Sequence, residues 1–353
     1  MIELVALGEA ILMVGSGSSA RVGYVTWNGL LEELEDLANR CGAGLDQTRK
    51  SDKLAYAKDI KSHIQNKTGD LSRYYALLQN LFSPKDPPFE DFHKKLVSLP
   101  FRGILTTNYD TVLEAALGNI EPRFAYDNWL VIDENSAGQV NEFLMAMNND
   151  TRMTRRIAHL HGRFNIPGSI ILSIEDYHRA YGLRIAANHV PDHVQKDFEW
   201  TLYRKLLWAV LATRRVVFIG FSMNDPYFNE MLETVSADLW RWDKSIHFAI
   251  MSISSTNAEN SKTRADGLRR EYGVDTVFYK DSDNLHQGLI DIISEIYVAC
   301  GGEGQSMLMS EDLSRGESRS EDKEPEPTRR SRDILDWLKQ ISQRMVRRIG
   351  DED

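Results

Sequence analysis

Arg215-Val216-Val217-Phe218-Ile219-Gly220-Phe221-Ser222-Met223-Asn224-Asp225-Pro226 sets the class of fold. Val216 to Ile219 form an apolar, β-branched and aromatic run, the composition of a strand buried on both faces. The tail turns abruptly small and polar. The same change occurs three more times. Ala10-Ile11-Leu12-Met13-Val14 closes on Gly15-Ser16-Gly17-Ser18-Ser19, and Gly103-Ile104-Leu105 runs into Thr106-Thr107-Asn108-Tyr109-Asp110. Arg156-Ile157-Ala158-His159-Leu160 ends on His161-Gly162. Residues 246–251 and 275–279 read as two further strands, and helical patterns fall between most of these runs. Strand followed by helix, repeated, specifies an α/β fold: a Rossmann-like parallel sheet with helices on both faces plus helical insertions. Ligands of such sheets bind outside the carboxyl ends of the strands. The four polar strand ends are therefore the candidate site.

The helices are read from apolar spacing. Leu30, Leu34, Leu37 and Cys41 give one beginning near Gly29, which places Cys41 in core packing. Residues 51–82 are helical with a break at 67–70, and 89–99 form a short helix before Pro100. Others are expected at 111–117, 140–147, 174–181, 197–213, 265–272 and 285–298. Residues 118–154 are otherwise irregular, and 169–173 read as a short strand. From 301 to 332 the chain is rich in Gly, Ser and Glu, the composition of a disordered linker. Ile334, Leu338, Ile341, Met345 and Ile349 then recur at helical spacing. That gives a domain over 1–300, a linker over 301–332 and an amphipathic helix over 333–353. The helix must be covered by a partner, a second subunit or its own domain.

Composition narrows the function. A net charge of -10 over 353 residues argues against direct nucleic-acid binding, which needs clustered Lys and Arg. Two cysteines without Cys-x-x-Cys spacing exclude a cysteine zinc ribbon and a disulfide framework. No apolar stretch approaches membrane-spanning length, and the amino terminus lacks the pattern of a signal peptide. A cytoplasmic protein with no metal is the expectation.

The chemistry lies in the strand ends. Gly15, Gly17 and Ala20 fit G-x-G-x-x-A, a turn that lets backbone approach a phosphate. In a dinucleotide fold the helix should follow at once; here residues 21–27 intervene. Asn108 and Asp110 either cap the next helix or touch ligand. Asp225 and Pro226 are equally suited to starting a helix or contacting ligand. His161 can do proton chemistry near neutral pH, whereas His159, two residues deeper, reads as structural.

Taken in order, Gly15-Ser16-Gly17-Ser18-Ser19, Thr106-Thr107-Asn108-Tyr109-Asp110, Leu160-His161-Gly162 and Gly220-Phe221-Ser222 resemble the four motifs of the sirtuin family. The resemblance covers roughly residues 1–300. Gly23-Tyr24-Val25-Thr26-Trp27-Asn28 stands where the family has Gly-x-Pro-Asp-Phe-Arg, keeping the aromatic but not the Asp or Arg. With the zinc ribbon also missing, the chain looks like the sirtuin-like domains of bacterial antiviral systems, members of which hydrolyse NAD to ADP-ribose and nicotinamide. The resemblance implies that Asn108 positions water and ribose, that His161 is the general base, and that Asp110 holds the network. It implies that Gly15, Ser16, Gly17 and Ser19 take the pyrophosphate, that Thr107, Gly220 and Ser222 bind the rest of NAD, and that Trp27 covers the nicotinamide. A toxic activity would be restrained until triggered, by self-association or by a co-encoded ATPase, Argonaute-like or nucleotide-sensing protein. A deacylase or ADP-ribosyltransferase, and a non-catalytic NAD or ADP-ribose sensor, remain alternatives.

Overall fold

The computed structural model describes residues 1–302 except 43, 123–126, 149–154, 183–199, 240–245, 254–257 and 282–285. Seven strands form one sheet: β1 (Ala10–Val14), β2 (Ile104–Thr106), β3 (Trp129–Val131), β4 (Ile157–His159), β5 (Arg215–Ile219), β6 (His247–Ile253) and β7 (Val274–Lys280). Their order is β3-β4-β2-β1-β5-β6-β7, and every neighbouring pair is parallel. The sheet is the expected α/β architecture, parallel throughout. Connections from β1 run first to one side, through β2, β3 and β4, and then cross to β5 on the other. Neighbours β1 and β5 thus flank the switch point, where an open parallel sheet leaves a crevice.

Alternation along the strands divides the core. Ile11, Met13, Leu105, Ala158, Val216 and Phe218 face one layer of helices. Ala10, Leu12, Val14, Ile104, Ile157, Val217 and Ile219 face the other. Successive side chains of a strand point to opposite faces, so a strand covered twice must be apolar throughout; β1 is fully buried along its length. Each buried Val, Leu, Ile, Met or Phe among them contributes about 1.5–3 kcal/mol.

A third cluster lies beyond the carboxyl end of the sheet. It joins the helices Trp27–Arg40, Lys53–Thr68 and Ser72–Phe82 with Tyr109, Ile170 and Leu172. These helices are the insertion that roofs the site. The break between the last two falls at Gly69, whose φ of 84° suits glycine.

Four expectations change. The segment after the first turn is not an open interruption: Gly15 precedes a one-turn helix, Ser16–Ser19, then a 3-10 turn, Ala20–Val22, and the long helix starts at Trp27 rather than near Gly29. Residues 169–173 are not a strand. Pro167–Ser169 makes a 3-10 turn, and Ser173 caps the helix Ile174–Tyr181 through a reciprocal bond pair with Asp176. Strand β3 lies inside the region read as irregular, because three residues are too few to display an alternation. The helix expected at 265–272 extends back to Ala258, the polar residues at its start hiding its period. The linker and carboxyl-terminal helix expected beyond residue 302 lie outside the described residues.

Candidate active site

Two glycine turns meet backbone to backbone over the switch point. Gly15 N–H donates to the Ile219 carbonyl at 3.0 Å, and Gly17 N–H donates to the Gly220 carbonyl at 3.0 Å. A methyl on Gly15 would lie 2.4 Å from the Gly220 oxygen, and one on Gly220, at φ +61°, would lie 2.5 Å from Ser18 N. Only glycine permits this approach. The contact also takes up the amides of Gly15 and Gly17, so those N–H groups are not free for an anion.

The turns form one wall of a cavity of about 780 Å³, within the range of small-molecule sites. Gly15, Ser16 and Ser19 line it from the first turn; Thr107, Asn108 and Asp110 from the end of β2; His161 from the end of β4; Gly220 and Ser222 from the end of β5; and Trp27 from the roof. Gly17 is not on the lining. Its place is against Gly220, where it sets how closely the turns approach.

Asn108 is the most constrained side chain of the cavity. Its amide nitrogen donates to the Gly15 carbonyl at 3.2 Å and to Ser19 Oγ at 3.0 Å. A carbonyl oxygen only accepts, which fixes the amide orientation. Asn108 Oδ1 is then a buried acceptor with no partner among the described residues. Such a group is costly unless something satisfies it. Asp110, one residue before the N-cap Thr111, accepts from Val112 N, the first amide of the helix Val112–Ile120, at 3.1 Å, and it also lines the cavity. Burial pushes its carboxyl up to about 6, against the opposing pull of the Val112 N–H and the Ser19 hydroxyl.

His161 stands in a cage of aromatic rings. Tyr177 lies edge-on at 5.1 Å between ring centres and Tyr181 at 6.3 Å. His161 Nε2 is 3.2 Å from Tyr181 Oη and 3.6 Å from Asp225 Oδ2. A lone pair facing a carboxylate would be repelled, so Nε2 carries the proton and Nδ1 holds the lone pair. Burial lowers the pKa of this ring, with Asp225 acting in the opposite sense. The ring is therefore neutral and able to accept a proton at pH 7. Gly162 then turns the chain at φ +88°, where a methyl would sit 2.2 Å from the Ser169 oxygen.

Of the two roles the sequence left open for Asp225, the helix start is present, and its second oxygen faces the cavity residues Tyr177 and His161. Oδ1 accepts from Tyr227 N and Phe228 N, each at 3.0 Å, starting the helix Pro226–Leu239. Oδ2 accepts from Tyr177 Oη at 2.9 Å and faces His161. Tyr177 and Tyr181 were not among the expected site residues. Their spacing, four apart on one helix, places them on one face, and that was the signal available. On the opposite rim Arg264 ties down the turn after β5, binding the Ser222 carbonyl and, at 2.7 Å, Asn224 Oδ1.

Four strand ends thus converge on one crevice: a glycine-lined wall, an unsatisfied amide oxygen, a carboxyl that titrates near neutrality and a neutral imidazole backed by a carboxylate. Residues 102–277 match the family described as the SIR2-like domain. The chain carries a SIR2-like domain. Its relatives include proteins named NAD(+) hydrolase ThsA. The one from Enterococcus faecium is 27% identical over 76% of this chain and 49% of its own length, and the one from Bacillus cereus 26% over 69% and 43%. A protein of Bacillus subtilis named defense-associated sirtuin 2 is 22% identical over 65% of this chain and 19% of its own. The chain therefore spans about half the length, or less, of these relatives. The SIR2-like domain here lacks any helix, among the described residues, long and apolar enough to cross a membrane.

Proposed function

We propose that this SIR2-like domain hydrolyses NAD to nicotinamide and ADP-ribose. The observation that carries the reading is Asn108, a residue of the cavity lining whose amide nitrogen is fixed by two hydrogen bonds and whose Oδ1 is a buried acceptor without a partner among the described residues. A ribose hydroxyl or the attacking water would satisfy it. In the reaction the bond from ribose C1′ to the nicotinamide nitrogen breaks, and its electron pair leaves with neutral nicotinamide. The ribose passes through an oxocarbenium-like state. The carboxylates of Asp110 and Asp225 favour that positive charge. Water adds its oxygen to C1′ and gives its proton to His161, whose Nδ1 lone pair is free; such a base contributes typically about 10²–10⁴-fold. The aromatic cage of Tyr177 and Tyr181 excludes bulk water from the imidazole. Ser16, Ser19, Thr107, Gly220 and Ser222 are the groups available to the diphosphate and its riboses, and Trp27 to the nicotinamide end.

The names of the relatives support placing this hydrolysis in antiviral defence. A cell would tolerate such an activity only if it were restrained until a trigger arrived. We place that control in self-association or in a co-encoded protein of the cytoplasm, and assign residues 1–300 to catalysis, 301–332 to a tether and 333–353 to the assembly contact. Deletion of 301–353 then alters oligomeric state or activation; unchanged assembly and turnover would remove that role.

Incubation of the purified full chain with NAD, alone and with the products of neighbouring genes, tests the reaction. The expected result is release of nicotinamide and ADP-ribose, abolished by Asn108→Ala and by His161→Ala. Release that requires an acylated peptide or an acceptor protein would instead indicate a transferase. Stoichiometric binding of intact NAD would indicate a sensor.

A further inference from the structure

His159, the last residue of β4 and two residues before His161, is fully buried, and both of its ring nitrogens are engaged. Nδ1 is 3.0 Å from the backbone carbonyl of Asn108, and Nε2 is 2.9 Å from Glu114 Oε1. A carbonyl oxygen can only accept, and an ionised carboxylate can only accept. Both ring nitrogens must then donate, which makes the ring an imidazolium. Glu114 is built to match it. The charges of His159 and Arg163 hold its carboxyl low against the upward push of burial. Arg163 Nε meets the same Oε1 at 3.1 Å, and its guanidinium lies 4.1 Å from the centre of the Trp129 ring. A continuous line of charge runs from Trp129 through Arg163, Glu114 and His159 to the peptide of Asn108.

We propose that His159 is a positioning residue: as a buried imidazolium, it clamps the Asn108 carbonyl and so fixes where the Asn108 side chain meets the ribose. The clamp acts on the backbone, while Gly15 and Ser19 hold the amide head. Together they pin the residue at both ends. Glu114 supplies the counter-charge that keeps the ring protonated, since a buried charge persists only when paired. The proposal rests on the reading of Asn108 as the group that touches NAD, but its first test does not.

That test is nitrogen NMR of histidine-labelled full-length protein. The His159 signal is assigned by its loss in His159→Gln or its displacement in Glu114→Gln. Two protonated ring nitrogens at pH 7.5 are expected, and a neutral ring there overturns the proposal whether or not the protein turns over NAD. The second test is kinetic. His159→Gln lowers kcat for nicotinamide release by about 10–100-fold with KM little changed, the cost of a misplaced reacting group. In Glu114→Gln the ring keeps an acceptor but loses its counter-charge. The charged groups then facing it are Asp110 from the end of β2 and Arg163 from beyond β4. Turnover by that variant falls in the same way, since the clamp has lost its counter-charge. A folded Glu114→Gln protein with the wild-type kcat would overturn the clamp. Absence of nicotinamide release from the wild type would instead count against the NAD reading, leaving the ring measurement to decide the clamp.

Discussion

Asp225→Asn separates the two tasks of one carboxylate. Asparagine is as good a helix cap as aspartate, so the bonds from Tyr227 N and Phe228 N to Oδ1 survive, but its amide nitrogen takes the place of Oδ2 and turns a donor toward Tyr177 Oη and His161 Nε2, which costs about 1–3 kcal/mol of stability. What disappears is the negative charge 3.6 Å from His161 Nε2. Two unit charges at that separation attract by about 4–5 kcal/mol at an effective dielectric constant of about 20. Both charges are spread over their groups, which reduces this to about 2–3 kcal/mol. The sign follows from the direction of the effect. Asp225 favours the imidazolium, so its removal lowers the pKa of His161 further below the ordinary value. The ring is neutral at pH 7.5 in both proteins, but an amide donor in place of Oδ2 favours the tautomer with its lone pair on Nε2 and so withdraws the base at Nδ1. The imidazolium formed as water gives up its proton also loses its stabilisation. Expected at pH 7.5 is a kcat for nicotinamide release reduced by about 10–100-fold, with the His161 limb of the kcat/KM profile displaced toward lower pH. The assay is initial-rate nicotinamide release from pH 4.5 to 9 for both proteins, with thermal unfolding as the control. A folded variant with kcat within twofold of wild type and an unmoved limb would refute the assignment of Asp225 to His161.

Three further outcomes follow from the same geometry. The Asp110 carboxyl is raised from 3.8 to about 6 by burial; ionising it opposes folding, so stability present below pH 4 is lost as pH rises through 6. Asp110→Asn removes this titration, and its stability relative to wild type should improve by about 3 kcal/mol between pH 4 and 7, measured by urea unfolding; a difference independent of pH would contradict the burial argument. The buried His247 accepts from Val216 N, and burial brings its pKa down to about 3. Its neutral form supports the fold above pH 6.5, and this support is lost as pH falls from 6.5 toward 3; His247→Gln should flatten the acid side of the unfolding midpoint, and an unchanged slope would argue otherwise. Gly220→Ala forces a methyl into the first glycine turn at a positive φ. A loss of about 2–3 kcal/mol is expected, with nicotinamide release falling more than stability alone accounts for; a wild-type melting curve would show the turns to be less tightly fitted.

The parallel sheet was legible because burial on both faces leaves uninterrupted apolar runs, and Val216–Ile219 and Ala10–Val14 could be little else. The site was legible for a related reason. Each run stopped on residues too small or too polar for a core, and the topology of a parallel sheet gathers such ends at one edge. Partners that depend on distant packing were not legible. Nothing local shows that Tyr177 lies against His161, or that Glu114 reaches His159 from the next helix. Gly17 looked like phosphate backbone because glycine is needed both for approach to an anion and for approach to another chain segment, and sequence does not distinguish the two. Strand β3 escaped because Trp129–Val131 is shorter than the pattern that reveals strands.

The meeting of the turns at Gly15 and Gly220 has a consequence for how such a site can diversify. Where Gly15 meets Gly220 that wall is main chain pressed on main chain, without side chains that substitution could enlarge, trim or recharge. Selection or engineering aimed at a different leaving group finds no handle there. It must act on the roof, where Trp27 and the segment from Ser51 to Leu54 meet the cavity with replaceable side chains. Variation in substrate should therefore accumulate in the helical insertion, while the strand ends beneath it stay fixed.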